Sequence, residues 1–352
     1  MKIASRKSLL SAAAVLFGTA ALLVACNGSE PSVTPNSAAD LRAGASAGHS
    51  IPVPGPKYLY VSSWPSSVYS YDYPLGTFRF TLTGGGFNKP DGQCVDGPGN
   101  VFITNYGNGK TFRYNHAGTA RTHTYLNAGA AAVGCAVFGP GLGDLAVTYH
   151  STVSGTAPGE VLVWTGEIGA PTAYPNPPAA CYDMWPGGFD SLGNLFVEGE
   201  PNGGGAVSVC ELTAPPRSWV AAPLTLTFTI DAPGSAMWDG AYITLTDTEA
   251  GGTYETGIDR VTLSGTTLTL SGDTVLTDVC YSDYVDTPQP FILGHHNTPI
   301  NGVQGTVVVG GNIFCNMAGA PKFDYWIYPA GGSPSGQLSG PPPSPEGQSI
   351  SL

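Results

Sequence analysis

Eight residues with side chains suited to ligand binding recur at one kind of position along the chain. Each lies at or just after the end of a short aromatic or β-branched run that predicts a strand. The eight are Trp64, Asn105, Tyr106, His150, Glu198, Glu200, Asp247 and Glu249. A ring of aromatic and acidic side chains suits a polar ligand that is neutral or cationic, such as a sugar or a peptide. The alternative is an ordinary solvated loop face, because loops are polar by default.

Three aspartates, Asp96, Asp190 and Asp239, end another set of predicted strands. Carboxylates that converge on one channel could hold a divalent ion or act as an acid and base. Each aspartate is followed by a turn that contains glycine, however, and an Asp that opens a turn accepts hydrogen bonds from backbone amides. The sequence therefore favours a structural role for these three side chains.

The cysteines and histidines form no metal-binding pattern. Six cysteines follow Cys26 without a Cys-x-x-Cys pair: Cys94, Cys135, Cys181, Cys210, Cys280 and Cys315. Their even number permits three disulfides in an oxidising compartment. Cys94 and Cys135 occupy the same frame on neighbouring predicted strands, and both a disulfide and two buried thiols stay open there. His295 and His296 are adjacent on a predicted strand, so their side chains would point to opposite faces.

Composition and charge indicate the fold class and exclude one partner. The formal net charge of −12 at pH 7 disfavours nucleic acid as a ligand. The 49 glycines and 31 prolines separate regularly spaced runs of Tyr, Val, Phe, Leu, Ile and Thr. That arrangement is typical of many short strands joined by tight turns, and it predicts an all-β domain. The chain carries no phosphate-binding loop, His-Glu-x-x-His or Gly-x-Ser-x-Gly motif, so no catalytic residue is assigned.

A turn followed by an apolar strand repeats along the chain. Five segments share this frame: 57–61, 99–103, 143–147, 193–197 and 240–244. Their central apolar residues are separated by 42, 44, 50 and 47 positions. An all-strand repeat of this period is typical of a β-propeller, with four strands per unit. In a sixth unit the predicted strands are Pro290–Gly294, Thr306–Gly310 and Phe323–Tyr328, although Gly311–Cys315 also fits the repeated frame.

The two ends of the domain predict how the ring closes. The first unit lacks an inner strand, whereas Glu346–Leu352 resembles an inner strand with no unit after it. The segment Pro345-Glu346-Gly347-Gln348 also matches Pro90-Asp91-Gly92-Gln93 at the start of the second unit. Pairing the C-terminal strand with Leu59–Val61 would remove two exposed sheet edges. The sequence thus predicts a six-bladed β-propeller closed by its C-terminal strand.

These repeats resemble those of NHL-type and SMP-30/gluconolactonase-like six-bladed propellers. The resemblance covers about residues 57–352 and rests on short, glycine-rich motifs. It implies the fold, while fold alone does not determine activity. The SMP-30-like enzymes hold a divalent ion with Glu, Asn and Asp side chains, and that set cannot be placed residue by residue on this sequence.

The N-terminus resembles a bacterial lipoprotein signal. Lys2, Arg6 and Lys7 precede an apolar segment, and Leu23-Val24-Ala25-Cys26 resembles a lipobox. The resemblance implies removal of residues 1–25, acylation of Cys26 and anchoring in a membrane. Asn27 rather than Asp follows the cysteine, which under the usual sorting rule of diderm bacteria favours the outer membrane. Residues 26–56 contain few large apolar side chains and predict a disordered tether.

The sequence therefore predicts a lipid-anchored protein of the cell envelope, with a propeller at residues 57–352. Its predicted function is that of a binding or scaffold module for a peptide, a glycan or an envelope protein, without a cofactor. A metal-dependent hydrolase or lactonase of the SMP-30-like kind is the alternative, and it would require a divalent metal. A purely structural envelope protein is the third possibility.

Overall fold

A computed structural model of the chain describes the predicted domain with several gaps. The described residues are 57–73, 75–82, 85–126, 131–139, 142–151, 157–239, 241–248, 256–277, 306–312, 322–328, 330–337 and 345–351. Within them the structure is almost entirely strand, with only two three-residue 3-10 turns. The all-β prediction is confirmed.

The strands of the first three sheets follow the predicted order of each unit. The first sheet contains β1 (Tyr58–Ser63), β2 (Ser67–Asp72) and β3 (Phe78–Leu82). The second contains β4 (Pro90–Val95), β5 (Val101–Asn105), β6 (Lys110–Tyr114) and β7 (Arg121–Leu126). The third contains β8 (Ala131–Phe138), β9 (Asp144–His150), β10 (Glu160–Trp164) and β11 (Thr172–Tyr174). Neighbouring strands in each sheet are antiparallel.

The remaining sheets are less regular. The fourth contains β12 (Asp183–Met184), β13 (Gly188–Phe189), β14 (Leu195–Glu200) and β15 (Ser208–Leu212). The fifth contains β16 (Thr225–Leu226), β17 (Pro233–Trp238), β18 (Ile243–Asp247), β19 (Thr256–Ser264) and β20 (Thr267–Leu276). The sixth contains β21 (Thr306–Asn312), β22 (Lys322–Tyr328) and β23 (Gly336–Gln337), and the chain ends with β24 (Pro345–Ser351).

The C-terminal strand completes the first sheet, as predicted. The strand order is β24-β1-β2-β3, so β1 has a partner on both edges. β24 runs antiparallel to β1, with Leu59 opposite Ile350 and Val61 opposite Gln348. Both Leu59 and Ile350 are buried at 2% exposure, so the pairing also extends the apolar core. The prediction that the chain closes on itself through its C-terminal strand is confirmed.

Glycines allow the innermost strands of successive sheets to lie against each other. A Cβ atom on Gly347 would lie 2.3 Å from the carbonyl oxygen of Asp91, and one on Gly92 would lie 2.4 Å from that of Val133. The same restriction applies at Gly134 against Pro186 and at Gly188 against Ala236. The contacts join β24, β4, β8, β13 and β17 in order. The glycine of the repeated Pro-Asp/Glu-Gly-Gln segment is therefore required by backbone contact with the next sheet.

The glutamine of the same segment joins the first two sheets. The Nε2 group of Gln93 donates hydrogen bonds to Ser62 Oγ at 2.7 Å and to the Gly347 carbonyl at 3.2 Å. Its Oε1 atom accepts a hydrogen bond from Ser349 Oγ at 2.9 Å. Gln93 is 2% exposed, so these contacts satisfy a buried amide. The seam between β24 and β4 is thus fixed by specific polar contacts as well as by close packing.

The fourth sheet departs from the predicted four-strand unit. Its inner strand is split into β12 and β13 by Trp185–Gly187, so the four labelled strands fill only three positions of the unit. No outer strand forms beyond β15 in the described residues of this sheet. Isolated bridges at Trp219 and Leu224 take the place of that outer strand, and β16 instead pairs in parallel with β20 of the fifth sheet. The segment contains Pro215, Pro216 and Pro223, and proline supplies no N–H group for a ladder.

Two disulfides form among the described cysteines. Cys94 pairs with Cys135 across the inner strands of the second and third sheets, with Cα atoms 5.5 Å apart. Cys181 pairs with Cys210 within the fourth sheet. The disulfide is therefore the alternative that the structure supports for the first pair.

Several predicted features lie outside the described residues. They are the signal segment 1–25, Cys26 and the tether 26–56, together with Glu249, Cys280, Pro290–Gly294, His295, His296 and Cys315. The count of six complete blades consequently stays a prediction. In the part of the chain that the structure describes, no helix is long and apolar enough to span a membrane.

Candidate functional site

The predicted ligand-binding residues lie where the second strand of each unit ends. Trp64 follows β1, Asn105 ends β5 and Tyr106 follows it. The others in the described residues have equivalent positions: His150 ends β9, Glu198 and Glu200 lie at the end of β14, and Asp247 ends β18. The surface formed by these strand ends and by the loops that lead into the inner strands is called the mouth face below.

An aromatic pair covered by a lysine forms one part of the mouth face. The ring centroids of Trp64 and Tyr106 are 6.1 Å apart, although the two residues belong to different sheets. The Lys89 ammonium lies 4.6 Å from the centroid of Trp64 and 5.6 Å from that of Tyr106. Both rings are partly exposed, and the indole Nε1–H of Trp64 has no acceptor among the described residues. We call Trp64, Tyr106 and Lys89 the aromatic corner.

Backbone hydrogen bonds fix Lys89 in the aromatic corner. Its N–H donates to the Pro65 carbonyl at 2.8 Å, and its own carbonyl accepts from the N–H of Tyr106 at 2.9 Å. Lys89 was not predicted from the sequence. The available signal was its place immediately before Pro90, where the chain enters an inner strand.

A second cluster on the mouth face combines a histidine, a tryptophan and two acids. His150 Nδ1 lies 3.7 Å from Asp183 Oδ1, and the rings of His150 and Trp185 meet edge to face at 5.0 Å. Asp183 and Glu200 lie directly opposite each other on β12 and β14. We call His150, Asp183, Trp185 and Glu200 the His150 cluster.

Burial changes the protonation of the His150 cluster. It lowers the pKa of His150 more than the neighbouring Asp183 raises it, so the imidazole is held in its neutral form. Burial, and then the charge of Asp183, raises the pKa of Glu200. Asp183 and Trp185 were not predicted from the sequence, because they come from the interrupted inner strand of the fourth sheet rather than from the end of a second strand.

The remaining described mouth residues bond to the backbone. Asn105 is fully buried; its Oδ1 accepts from the N–H of Asn88 at 3.1 Å, and its Nδ2 donates to the carbonyl of Lys110 at 3.2 Å. Asp247 accepts hydrogen bonds from the N–H groups of Asp231 and Ala232 at 3.0 and 3.2 Å. These contacts account for the two polar side chains as parts of the framework.

Glu198 connects the fourth and fifth sheets. It is fully buried, and its two carboxylate oxygens accept from the N–H groups of Gly234 at 2.8 Å and Thr246 at 2.9 Å. Burial raises the pKa of Glu198 to about 8, against the two hydrogen bonds, which lower it. The carboxyl group thus lies within the seam between two sheets, away from solvent.

The described residues do not fit the divalent ion that an SMP-30-like hydrolase would hold. No group of three His, Cys, Asp or Glu side chains is placed to hold a metal in the described part of the chain. The oxygen-bearing side chains of Asn105, Glu198 and Asp247 are already engaged by backbone groups. A metal ligand set at these positions would first have to give up those hydrogen bonds.

The three aspartates at the ends of the inner strands cap turns, as the sequence favoured. Asp190 Oδ1 accepts from the N–H groups of Leu192 and Asn194 at 2.8 and 2.9 Å. Asp239 Oδ1 accepts from those of Ala241 and Tyr242. Asp96 accepts from the backbone N–H of Asn100 in the same way. All three satisfy backbone donors at tight turns.

Asp96 also belongs to a buried charged group that the sequence did not reveal. The guanidinium of Arg113 lies 3.5 Å from the carboxylate of Asp96 and 3.6 Å from that of Glu167. Glu167 is 2% exposed and comes from the 3-10 turn that follows β10. Burial, and then the charge of Asp96, raises the pKa of Glu167 to about 7. Because the group joins the second and third sheets, no local sequence spacing could have indicated it.

Comparison with known proteins agrees with this architecture. A family model for the SMP-30/gluconolactonase/LRE-like region matches residues 54–151. The match covers the first two sheets and the start of the third. No curated protein matches the chain. The chain is thus similar in sequence to the SMP-30-like propellers over part of its length.

Solved structures with similar folds match most of the chain. A protein of unknown function from Bacteroides caccae is 12% identical, with a TM-score of 0.57, and the match covers 84% of this chain and 99% of that one. A chain of a nidogen/laminin complex is 13% identical, with a TM-score of 0.53, over 84% of this chain and 98% of that one. A functionally unknown protein from Desulfotomaculum acetoxidans is 9% identical, with a TM-score of 0.50, and the match covers 84% of this chain and 99% of that one. At these identities the matches show the fold alone: the domain is a β-propeller.

Proposed function

We propose that this protein is a lipid-anchored binding module of the cell envelope, whose mouth face binds a polar peptide, a glycan or an envelope protein. The aromatic corner is the observation that carries the proposal. It presents two partly exposed rings and one ammonium group, while the indole N–H of Trp64 is buried without an acceptor among the described residues. Rings with polar edges recognise sugars and peptides because one surface is apolar and its rim forms hydrogen bonds.

The His150 cluster extends the proposed binding face. The neutral imidazole and the Trp185 ring supply apolar area, while Asp183 and Glu200 supply negative charge. Together the two clusters offer cationic and anionic contacts on the same set of loops. Such a surface suits a ligand with both hydroxyl or amide groups and at least one positive group.

We propose that the protein is located at a membrane. The membrane is also its proposed partner, and nucleic acid is not. Acylation of Cys26 would anchor the protein in a membrane of the cell envelope, either in the outer membrane or facing the periplasm. The SMP-30-like hydrolase remains the competing function. It predicts about one tightly bound divalent ion per purified chain, which metal analysis by plasma emission would detect.

The proposed binding face is tested by replacing three of its partly exposed side chains together. The full-length chain in mild detergent is labelled and applied to printed arrays of glycans and of short peptides. The triple variant Trp64→Ala, Tyr106→Ala, His150→Ala should lose the array signals of the wild type by at least tenfold. Its melting temperature should change little, because the three side chains are partly exposed and substitutions at the surface usually cost within about 0.5 kcal/mol each.

A matched control carries substitutions on outer strands away from the mouth face. Phe78, His123 and Leu270 are exposed on β3, β7 and β20, and their replacement by Ala should keep the array signals. Equal binding by the mouth-face variant and the wild type would refute the proposed site. A large fall in melting temperature in the mouth-face variant would instead identify these side chains as core.

A further inference from the structure

A cavity lies at the opposite ends of the inner strands from the mouth face. Its volume is about 380 Å³, and its wall comes from β4, β8, β13 and β17, with the turn after β13. The lining residues are Gln93, Cys94, Val95, Cys135, Ala136, Val137, Phe138, Gly187, Gly188, Phe189, Asp190, Ser191, Met237 and Trp238. None of the mouth-face residues contributes to it. The cavity is therefore separate from the proposed binding face.

The wall of the cavity is apolar, aromatic and held in place. The rings of Phe138 and Phe189 are 5.5 Å apart. Phe138 packs over Gly193, where a Cβ atom would lie 2.8 Å from the ring. The guanidinium of Arg217 lies 5.0 Å from the centroid of Phe189, while its two ends bond to the carbonyl of Gly193 and to Asp144. The ring positions are thus set before any ligand arrives.

The disulfide forms part of the same wall. Cys94 on β4 and Cys135 on β8 both line the cavity, and their bond joins two neighbouring sheets at this point. A covalent link between the inner strands limits how far the wall can collapse or open. The cavity accordingly has a fixed width between the second and third sheets.

No charged group is free to face a ligand in this wall. The lining contains no Lys, Arg or His. The carboxylate of Asp190 accepts hydrogen bonds from Leu192 and Asn194, and the amide of Gln93 is engaged by Ser62 and Ser349. Apart from the Ser191 hydroxyl and the Trp238 indole N–H, what remains polar is the backbone. β4, β8 and β17 are edge strands of their sheets, and edge strands present N–H and C=O groups.

We propose that this cavity binds a small, uncharged aromatic compound with about two or three fused rings and one or two hydrogen-bonding groups. An apolar cavity of about 150 Å³ holds one benzene, so about 380 Å³ fits a larger flat molecule. The aromatic side chains of Phe138, Phe189 and Trp238 supply ring contacts. The edge strands supply hydrogen bonds to a hydroxyl or an N–H group. An anionic compound is disfavoured by the absence of a cation in the lining.

The test uses 2-naphthol as the probe and the full-length chain in detergent. Isothermal titration should show saturable binding at one site per chain, and 2-naphthalenesulfonate should bind at least tenfold more weakly. Val137→Trp places a large ring in the cavity and should weaken 2-naphthol binding at least tenfold. Val275→Trp is the matched control, because Val275 is also partly exposed but lies on β20 outside the lining; it should bind as the wild type does.

A second blocking variant tests the cavity even if Val137→Trp does not fold. Ser191 is exposed at the rim of the cavity, so Ser191→Trp should cover the entrance without disturbing the core. It should keep the melting temperature of the wild type and lose binding. The absence of a saturable heat in the wild type would overturn the proposal. Unchanged binding in both blocking variants would overturn it as well, since the probe would then bind elsewhere.

Discussion

Glu167 shows how burial turns one ordinary side chain into a pH-dependent element. It is 2% exposed, and both Asp96 and Arg113 face it from the second sheet. Arg113 favours the charged carboxylate, but burial and the charge of Asp96 together outweigh it. The carboxyl group consequently holds its proton to a higher pH in the folded chain than in the unfolded one.

This protonation predicts a loss of stability as pH rises. Below the ordinary pKa of 4.5 Glu167 is protonated in both states, so its contribution is constant. Between 4.5 and about 7 the unfolded chain releases the proton while the folded chain retains it, which favours unfolding. The free energy of unfolding, measured with urea, should decrease between pH 5 and pH 8. This decrease should be about 2 kcal/mol larger for the wild type than for Glu167→Gln.

The comparison between variants isolates Glu167 from other buried acids. Burial also raises the pKa of Asp259 to about 7 and that of Glu198 to about 8, so the wild type alone would report a mixture. Asp231→Asn alters an exposed carboxylate and should keep the pH dependence of the wild type. Equal pH dependence in the wild type and Glu167→Gln would show that Glu167 keeps its ordinary pKa.

Residue chemistry could be predicted from the sequence where it is local. The turn role of Asp190 was predictable because the N–H groups that donate to its carboxylate lie within four positions along the chain. The contact between Trp64 and Tyr106 joins two sheets, and its distance depends on how the sheets pack. For the same reason Lys89, Asp183 and Trp185 were missed, although each lies on the face whose position the sequence indicated.

At the scale of strands, the repeat period and the matched segments were sufficient to predict the closing strand. The pairing of Leu59 with Ile350 follows the predicted alignment. The physical reason for the repeated glycine of the segment was not visible in the sequence, because it is the backbone of the next sheet that excludes a side chain at Gly92 and Gly347. The missing outer strand of the fourth sheet had a sequence signal in its prolines, but the parallel pairing of β16 with β20 depends on tertiary packing.

The closing strand predicts a large effect from a small deletion. Removal of residues 345–352 would expose the edge of β1, and the apolar contact of Ile350 would be lost. It would also remove two of the three partners of Gln93, the Gly347 carbonyl and the Ser349 hydroxyl. The free energy of unfolding should fall by a few kcal/mol, from a typical value of roughly 5–15 kcal/mol. The truncated chain should melt at a much lower temperature or aggregate. Deletion of 35–42, in the predicted tether, should leave the melting curve unchanged, and equal curves for both deletions would refute closure.

Gly347→Ala gives a milder version of the same test. Its Cβ atom would meet the backbone of Asp91, which cannot move alone, so overpacking should cost about 1–3 kcal/mol. Gly272→Ala is the matched control, because the nearest atom is the flexible end of Arg260. In thermal unfolding, Gly347→Ala should melt at a clearly lower temperature than Gly272→Ala.

At the scale of the whole molecule, charge and anchoring are linked. Residues 1–25 carry three positive charges and no acid, so their removal would leave a chain with a formal charge of −15 rather than −12. A chain of that charge is repelled by anionic lipid headgroups. The propeller would therefore be held at a membrane by acyl chains alone, and the tether would set how far its two faces can reach.

Because the acyl chains would be the only membrane contact, we predict that the thiol of Cys26 is required for membrane attachment. A single acyl chain gives only marginal membrane binding, whereas several on one residue give a stable anchor. In a bacterial host that processes lipoproteins, the wild type should enter the detergent phase of Triton X-114 and incorporate a clickable fatty acid. Cys26→Ser should incorporate none and should leave the detergent phase. Ser29→Ala, three residues away, should behave as the wild type, and fatty-acid labelling of Cys26→Ser equal to that of the wild type would show that Cys26 is not the acylated residue.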